Sequence, residues 1–277
     1  MLQARLASAA VLAPVVIVAT WFGGLAFFAM VALTAAWCAI EFCGLLTHGG
    51  YRPARLIVVA GAILLIAAPA FPGYRIGSIA LGLIVIGPGL YVLWRRDPLR
   101  EGLANWAQSS LAATIVGWTL SQGIVLRMAS GEATVFGVES SRGLALALVA
   151  LTCTWISDTA AYAVGRMIGR HPFFPEISPR KSVEGAIGGI IAPMIVGMIW
   201  ANMLGIGWTL GFGAFLGAIA GVAAIAGDLL ESMLKRAVGV KDAGAIIPGH
   251  GGLLDRVDSL LLVLVAVAIL TGEVWPS

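Results

Sequence analysis

The chain is poor in charge and in cysteine. Only 11% of its 277 residues are charged, whereas a soluble globular domain carries about a quarter. Its three cysteines, Cys38, Cys43 and Cys153, lie inside apolar runs without the spacing of metal ligands, so we interpret them as small buried residues and not as a disulfide framework. In place of charge, the sequence is 60% hydrophobic with a mean hydropathy of +0.97. This composition excludes an ordinary soluble domain and predicts a polytopic membrane protein.

Apolar runs long enough to cross a bilayer recur along the chain. A span needs about 20 apolar residues, and the long first run breaks at Gly23-Gly24. No convincing cleavage site follows it, so we expect no removable signal peptide. The runs predict an all-α polytopic membrane protein with about nine transmembrane helices, at 6–22, 25–46, 56–71, 76–94, 104–126, 144–165, 186–204, 208–226 and 257–274.

The basic residues favour one orientation of these helices. With the N-terminus in the cytoplasm, all 17 Lys and Arg residues fall on the cytoplasmic side except Arg75, Arg127 and Arg142. Because cytoplasmic loops of membrane proteins are enriched in Lys and Arg, this distribution predicts a cytoplasmic N-terminus and an external C-terminus. It also supports the helix count, since one helix more or fewer would scramble the pattern.

Two polar segments interrupt the apolar sequence, at 157–185 and 232–258, and both fall on the predicted cytoplasmic side. Ionisable residues at membrane depth are costly and by default functional. We therefore predict N-terminal transmembrane helices over 1–140, structural and lipid-facing, followed by a catalytic transmembrane domain over 141–277. Its polar cavity would face the cytoplasm, and the protein would be a multi-pass protein of the cell membrane.

Carboxylates at the edges of the last spans are candidate metal ligands. Asp228 ends one apolar run, Asp255 opens the next, and Asp258 follows Asp255 at i+3 on the same helix face. Mg²⁺ prefers one or two carboxylates together with phosphate oxygens of a substrate. The alternative is that Asp255 and Asp258 merely complement a helix dipole, but it leaves Asp228 unexplained.

Basic residues and glycines between these carboxylates favour phosphate binding. Lys235, Arg236 and Lys241 precede a Gly-His-Gly-Gly turn. Glycines let backbone N–H groups approach an anion closely, and the candidates, beside His250, are Gly249, Gly251 and Gly252. For the basic cluster alone, the alternative is an interfacial turn bound to anionic lipid headgroups.

The 157–185 segment offers a second set of polar groups. Asp158, Tyr162, Gly165 and Gly169 share one stripe of a helix, on which the glycines allow a close helix contact. Asp158 lies within an apolar run and needs a partner or a wet cavity. Glu41, a single carboxylate late in the second span, is either functional or interfacial.

A helix start is predicted within the same segment. Ser178-Pro179 has the form of an N-cap followed by Pro at the first helical position. Arg180 and Lys181 would then lie in the first turn, where backbone donors favour an anion. These two cations are equally explained as ordinary positive-inside residues.

The segment from Ser232 to Asp258 resembles the signature of phosphatidate cytidylyltransferases, also called CDP-diacylglycerol synthases. That signature runs Ser, any residue, an apolar residue, Lys-Arg, four residues and Lys-Asp. A small residue and a Pro or Gly follow, then His-Gly-Gly, apolar, any, Asp-Arg, apolar and Asp; each element stands here in register. Gly227-Asp228, the stripe that begins at Asp158, and 178–185 are also similar to the family, with Ser182 where Thr is common. Residues 1–140 match only as a generic hydrophobic region, although Glu41 followed by an aromatic residue resembles a recurrent feature of the family.

The resemblance implies transfer of the cytidylyl group of CTP to phosphatidic acid, which gives CDP-diacylglycerol and pyrophosphate. It implies Mg²⁺, as one ion or two, membrane lipids and a second copy of the chain as partners, and no nucleic acid. It assigns metal binding to Asp228 and Asp255; catalysis to Lys235, Arg236, Lys241, Asp242, His250, Arg256 and Asp258; and substrate binding to Asp158, Tyr162, Ser178, Lys181, Ser182, Glu184, Gly251 and Gly252. The residues agree, since the polar segments hold many charges but no catalytic triad or cysteine nucleophile.

Other functions remain open at this point. A cytidylyltransferase for a different lipid phosphate would carry the same signature, because the signature reports the chemistry at the lipid's phosphate headgroup and not the identity of its hydrocarbon tails. A cation- or proton-coupled transporter also uses intramembrane carboxylates and broken helices, but here the charges gather at one level and no inverted repeat is visible. The pattern of CDP-alcohol phosphotransferases is absent from the sequence, and a scaffold without chemistry would not need the charged signature.

Overall fold

The computed structural model describes residues 2–244 and 251–273, with side chains described from Leu12 onward. Over these residues the chain forms nine α-helices, one 3₁₀ turn at Pro72–Tyr74 and one β-hairpin. The helices are α1 Leu2–Phe22, α2 Gly24–His48, α3 Arg55–Ala70, α4 Ile76–Arg95, α5 Leu99–Arg127, α6 Arg142–Ile168, α7 Val183–Met203, α8 Leu210–Ala237 and α9 Leu254–Thr271. The hairpin consists of β1 Glu132–Val135 and β2 Val138–Ser141.

Each predicted span coincides with one of these helices. Among the described residues, six helices (α2 and α4 to α8) are long and apolar enough to cross a membrane. The helix α3 and the part of α1 from Leu12 are apolar but shorter, and α9 begins with three charged residues among its first five. The prediction of an all-α multi-pass membrane protein is thus confirmed, with a small hairpin added. The count of nine spans and the orientation stay predictions.

The described residues divide into two compact units. The first contains the residues up to Val125 together with Leu234–Arg256, and the second contains Leu126–Met233 together with the residues from Val257 onward. The boundary at 140 stays a prediction. The units divide the chain by contacts in space, so distant stretches of sequence share a unit.

In the first unit, α5 holds the turn between α2 and α3. Asn105 and Ser109 of α5 are buried and accept hydrogen bonds from backbone N–H groups, those of Arg52 at 2.9 Å and Ala54 at 3.0 Å. Buried backbone donors need such partners because no water reaches them. The polar residues of α5 therefore stabilise the turn.

In the second unit, glycines let helix backbones come close together. Gly197 of α7 and Gly213 of α8 face each other so closely that a Cβ on either would overlap the backbone of the other. A Cβ on Gly165 or Gly169 would lie 3.2 Å or 2.6 Å from Ser182 Oγ, at the start of α7. Small residues are typical of helix contacts in membranes. The predicted close contact at Gly165 and Gly169 is confirmed.

The helix start predicted at Ser178 is wrong. The helix α7 begins at Val183, and its N-cap is Ser182, whose Oγ accepts the N–H of Gly185 at 3.1 Å. Both serines are followed by residues that can begin a helix, and sequence preference alone could not decide between them.

Backbone pairing between the two ends of the preceding loop decides where α7 starts. The N–H of Phe173 donates to the carbonyl of Lys181 at 2.8 Å, and the N–H of Val183 donates to the carbonyl of His171 at 2.9 Å. Residues paired in this extended manner cannot be helical at the same time. Arg180 and Lys181 therefore precede α7 instead of lying in its first turn.

The hairpin lies in the connection between α5 and α6. Its strands are antiparallel and joined by Phe136-Gly137, which have positive φ values of 52° and 79°, as a two-residue type I′ turn requires. Ser141 then caps α6 by accepting the N–H of Leu144 at 3.2 Å. Strands of four residues carry too weak an alternating pattern to be predicted from sequence.

Candidate active site

An ion pair joins the loop before α7 to α8. Lys181 Nζ lies 2.6 Å from Asp228 Oδ2, and Ser232 Oγ donates to Asp228 Oδ1 at 3.3 Å. The side chains of Lys181 and Asp228 are 27% and 35% exposed, although Lys181 Nζ itself is buried against Asp228. Sequence analysis assigned Lys181 to anion binding and Asp228 to the metal, and the structure brings the two into contact.

Two more of the predicted carboxylates, Asp158 of α6 and Asp258 of α9, lie beside Ser259. The buried Ser259 donates its hydroxyl to Asp158 Oδ1 at 3.0 Å and its N–H to Asp258 Oδ1 at 2.7 Å. The helix α8 approaches the same point, because a Cβ on Gly227 would overlap the carbonyl of Asp258. The glycine that precedes Asp228 therefore allows α8 to approach α9 at the level of these carboxylates.

In the first unit, Lys235 of α8 pairs with Asp255 at the start of α9. Lys235 Nζ donates to Asp255 Oδ1 at 2.6 Å, while Oδ2 accepts the N–H of Gly252 at 2.8 Å and that of Ala243 at 2.9 Å. Burial by itself raises the pKa of the Asp255 carboxyl. The hydrogen bond and positive charge of Lys235, together with the hydrogen bonds from the two N–H groups, outweigh burial and hold this pKa below its usual value. Asp255 is therefore an ionised carboxylate with three donors.

Glu41 of α2 binds the turn formed by Gly252, Leu253 and Leu254, which leads into Asp255. Its Oε1 accepts hydrogen bonds from Trp37 Nε1 at 3.1 Å and from the N–H of Leu253 at 3.0 Å, and its Oε2 accepts the N–H of Leu254 at 2.8 Å. The residue is only 7% exposed. Glu41 therefore has protein partners for both oxygens, and both interpretations, functional or interfacial, stay open.

Glu184 and Tyr162 have partners within the second unit. Glu184 Oε2 accepts the N–H of Arg170 at 3.1 Å and that of His171 at 3.3 Å, and Oε1 lies 2.5 Å from His171 Nδ1. Tyr162 is 67% exposed and its hydroxyl accepts a hydrogen bond from Arg166 at 3.0 Å. Glu184 thus holds the loop before α7, whereas Tyr162 is accessible to a substrate.

The serines and glycines assigned to substrate binding also make local contacts. Ser182 caps α7, and the backbone of Ser178 forms a turn, with its carbonyl accepting the N–H of Lys181 at 3.1 Å. Gly251 has a φ of +81°, and a Cβ there would lie 2.9 Å from Asp255 Oδ2. The amide of Gly252 is directed at Asp255 in this conformation.

The remaining predicted residues of the signature have accessible side chains. Those exposed are Arg236, Lys241, Asp242 and Arg256. Arg236 Nη1 donates to the carbonyl of Val240 at 3.1 Å. The predicted His250 and the neighbouring Gly249 lie outside the described residues.

The predicted metal ligands differ in how well they fit a cation. Among the described residues, no three His, Cys, Asp or Glu side chains are grouped closely enough to hold one by themselves. Asp228 fits as a single carboxylate ligand, because it is partly exposed, forms an ion pair with one lysine and accepts a hydrogen bond from one hydroxyl. Asp255 is less available, since its oxygens already accept hydrogen bonds from Lys235 and from the N–H groups of Gly252 and Ala243. Mg²⁺ commonly takes one or two carboxylates and completes its shell with water and phosphate oxygens.

Sequence analysis missed Ser259 and the partners of Glu41. Ser259 directly follows Asp258, but it opens an apolar run and a single serine there carries no signal. The bond from Glu41 to Leu254 joins residues 213 positions apart. Only the three-dimensional structure shows such a contact.

Comparisons with known proteins identify the family of this chain. A family model described as "Cytidylyltransferase family" matches residues 3–272. The chain is 32% identical over 255 residues to the phosphatidate cytidylyltransferase of Synechocystis sp., which covers 86% of this chain and 85% of that protein. It is 33% identical over 256 residues to that of Staphylococcus aureus, with 86% and 96% covered, and 43% identical over 134 residues to that of Staphylococcus saprophyticus, with 48% and 52% covered. The chain therefore belongs to the cytidylyltransferase family.

Proposed function

We propose that this protein transfers the cytidylyl group of CTP to phosphatidic acid and releases pyrophosphate, so that it makes CDP-diacylglycerol for phospholipid synthesis. The observation that carries the proposal is the alignment of 86% of the chain with relatives named phosphatidate cytidylyltransferase. The protein is accordingly a nucleotidyltransferase embedded in a membrane. Its paired lysines and aspartates are the residue types that phosphate substrates require.

In this reaction an oxygen of the lipid phosphate attacks the α-phosphorus of CTP. A new P–O bond forms, and the bond from the α-phosphorus to the oxygen shared with the β-phosphorus breaks, its electron pair leaving with pyrophosphate. A phosphate monoester has a second pKa of about 6, so the nucleophile is already largely dianionic near neutral pH and needs no strong base. What the protein must supply is charge neutralisation and alignment of two anions that repel each other.

The two lysines that are paired with aspartates carry this task. Lys181 lies beside the partly exposed Asp228, so we assign it to a phosphate group of a substrate. Lys235 is more deeply buried, with its side chain 11% exposed, and its contact with Asp255 fixes its position. The exposed Arg236 and Lys241 bind other phosphate oxygens, and Tyr162 of α6 contacts substrate.

Mg²⁺ is the proposed cofactor, and the residues that would hold it are the carboxylates of Asp228 and Asp255. A bound Mg²⁺ offsets the charge of phosphate oxygens and stabilises the leaving pyrophosphate. Asp158 and Asp258 support the site through Ser259. His250 would orient a phosphate oxygen.

We further propose nine membrane spans, a cytoplasmic N-terminus, an external C-terminus and an active site that faces the cytoplasm. The position of the 17 Lys and Arg residues supports this orientation. A cytoplasmic site also suits CTP, which is a cytoplasmic nucleotide. The resemblance to the family supports a homodimer.

The decisive experiment supplies purified protein with CTP, phosphatidic acid and Mg²⁺ and measures pyrophosphate release. We expect release that needs all three, and CDP-diacylglycerol as the lipid product. Replacing phosphatidic acid by a polyprenyl phosphate in a parallel reaction tests the other lipid substrate, and higher activity there would correct the substrate. No release with either lipid, together with cation uptake in proteoliposomes, would favour a transporter.

A further inference from the structure

Glu41 is a buried carboxylate that has no part in the proposed chemistry. It lies on α2, far in sequence from the signature segment. A buried charge is retained only where partners compensate for its lost hydration. Here the partners are the indole N–H of Trp37 and the backbone N–H groups of Leu253 and Leu254. Both carboxylate oxygens are thus used as acceptors of charge-assisted hydrogen bonds.

These bonds fix the turn that leads into Asp255. Leu253 and Leu254 immediately precede Asp255, and the N–H of Gly252 donates back to Asp255 Oδ2 at 2.8 Å. The turn is therefore held by Glu41 on one side and by Asp255 itself on the other. A displacement of Glu41 would move the backbone from which Asp255 extends, and with it the contact to Lys235.

Two glycines of the signature segment, Gly244 and Gly252, pack closely against the Glu41 carboxylate. A Cβ on Gly244 would lie 2.5 Å from Glu41 Oε1, and a Cβ on Gly252 would lie 2.7 Å from Oε2. Neither glycine has a positive φ, so space and not backbone conformation favours glycine at both positions. The carboxylate is thus closely packed between the backbones of Gly244 and Gly252.

We propose that Glu41 is a positioning residue: through the turn at Gly252 to Leu254 it places Asp255 and Lys235 for cytidylyl transfer. The proposal rests on the proposed function. A carboxylate is needed because both oxygens accept backbone N–H groups, whereas an amide would direct its own N–H₂ at one of these donors. A residue that only stabilised the fold would change the amount of folded protein but not the kcat of the folded fraction.

Glu41→Gln is the first test, because it keeps the size of the side chain and removes its charge. We expect kcat for pyrophosphate release to fall by about 10- to 100-fold, as for other residues that orient a ligand, with little change in the KM for CTP. Thr47→Ala, an exposed position on the same helix, is the control and should retain wild-type kcat. Wild-type kcat in folded Glu41→Gln protein would overturn the proposal.

Gly244→Ala gives an independent measure of the same contact. The three nearest atoms to the added Cβ all belong to Glu41, so the substitution acts by displacing that side chain. We expect Gly244→Ala to lower kcat in the wild-type background and to cause no further loss in a Glu41→Ala background. Equal losses in both backgrounds would show that Gly244 acts independently of Glu41 and would overturn the proposed contact.

Hydrogen–deuterium exchange provides a measure that does not depend on activity. The peptide that carries the amides of Leu253 and Leu254 should exchange faster in Glu41→Gln than in wild type or Thr47→Ala. If the wild type releases no pyrophosphate, the proposed function fails while this measurement still decides whether Glu41 holds the turn. If the wild type is active and Glu41→Gln exchanges these amides at the wild-type rate, the Glu41 proposal alone is overturned.

Discussion

At Asp228 the chain places a carboxylate that is 35% exposed next to a lysine, within a protein that is 60% hydrophobic. Asp228→Asn keeps the shape of the side chain and its capacity to accept from Ser232, so the protein should stay folded. It removes the charge that would hold Mg²⁺ and attract Lys181. We expect pyrophosphate release to fall by at least about 100-fold, in line with the loss of one electrostatic contact to a transition state.

The matched control for Asp228→Asn is Glu176→Gln. Glu176 is an exposed carboxylate in the loop before α7, and its substitution makes the same change of charge without touching the ion pair. It should retain wild-type turnover. Near-normal activity of Asp228→Asn, measured at equal amounts of folded protein, would remove Asp228 from the metal site.

The ion pair of Lys235 and Asp255 can be tested by measuring thermal stability. Both side chains are nearly buried, at 11% and 6% exposed. Removing one partner of a buried pair costs about 3–5 kcal/mol because the other charge is stranded. Lys235→Met should therefore lower the midpoint of thermal unfolding in detergent, and Lys235→Met with Asp255→Asn should recover most of it. Both variants should be inactive, and a double variant no more stable than the single one would contradict the pairing.

At the scale of the elements, the sequence predicts the position of every helix but not where each one ends. The run 208–226 stops where Asp228 and the later charges begin, yet α8 continues to Ala237. Hydropathy reports which residues suit lipid, whereas a helix continues as long as its backbone hydrogen bonds do. The charges on its last turns are tolerated because Asp228 pairs with Lys181 and Lys235 pairs with Asp255.

The start of α7 can be tested with two serines four residues apart. Ser182 caps the helix through its side chain, whereas Ser178 contacts the described loop through its backbone, whose N–H donates to Phe174 and whose carbonyl accepts from Lys181. Loss of an N-cap costs about 1 kcal/mol. We therefore expect Ser182→Ala to lower the thermal midpoint in detergent and Ser178→Ala to leave it nearly unchanged. The opposite order would restore the helix start that the sequence suggested.

The candidate site was predictable in its residue types but not in its pairings. Sequence analysis selected Lys181, Asp228, Lys235 and Asp255 because phosphate and metal chemistry needs those types. The sequence does not predict which lysine pairs with which aspartate, because these contacts depend on how the helices pack. The same limit explains Ser259, whose hydroxyl meets a carboxylate 101 residues away.

At the scale of the whole molecule, the positive-inside pattern predicts that α6 crosses the bilayer from outside to inside. The hairpin residue Glu139 precedes this helix and Glu176 follows it, and both are exposed. The three native cysteines are buried, so a membrane-impermeant thiol reagent should label the wild type only weakly. This low background makes single introduced cysteines informative.

In intact cells we expect Glu139→Cys to be labelled at once and Glu176→Cys only after the membrane is made permeable. The reason is that 14 of the 17 basic residues, including those beside Glu176, lie on the predicted cytoplasmic side. The reverse pattern would invert the orientation and place the Lys181–Asp228 pair away from cytoplasmic CTP. Labelling of both cysteines from one side would mean that α6 does not cross, and the proposed count of nine spans would then fail with it.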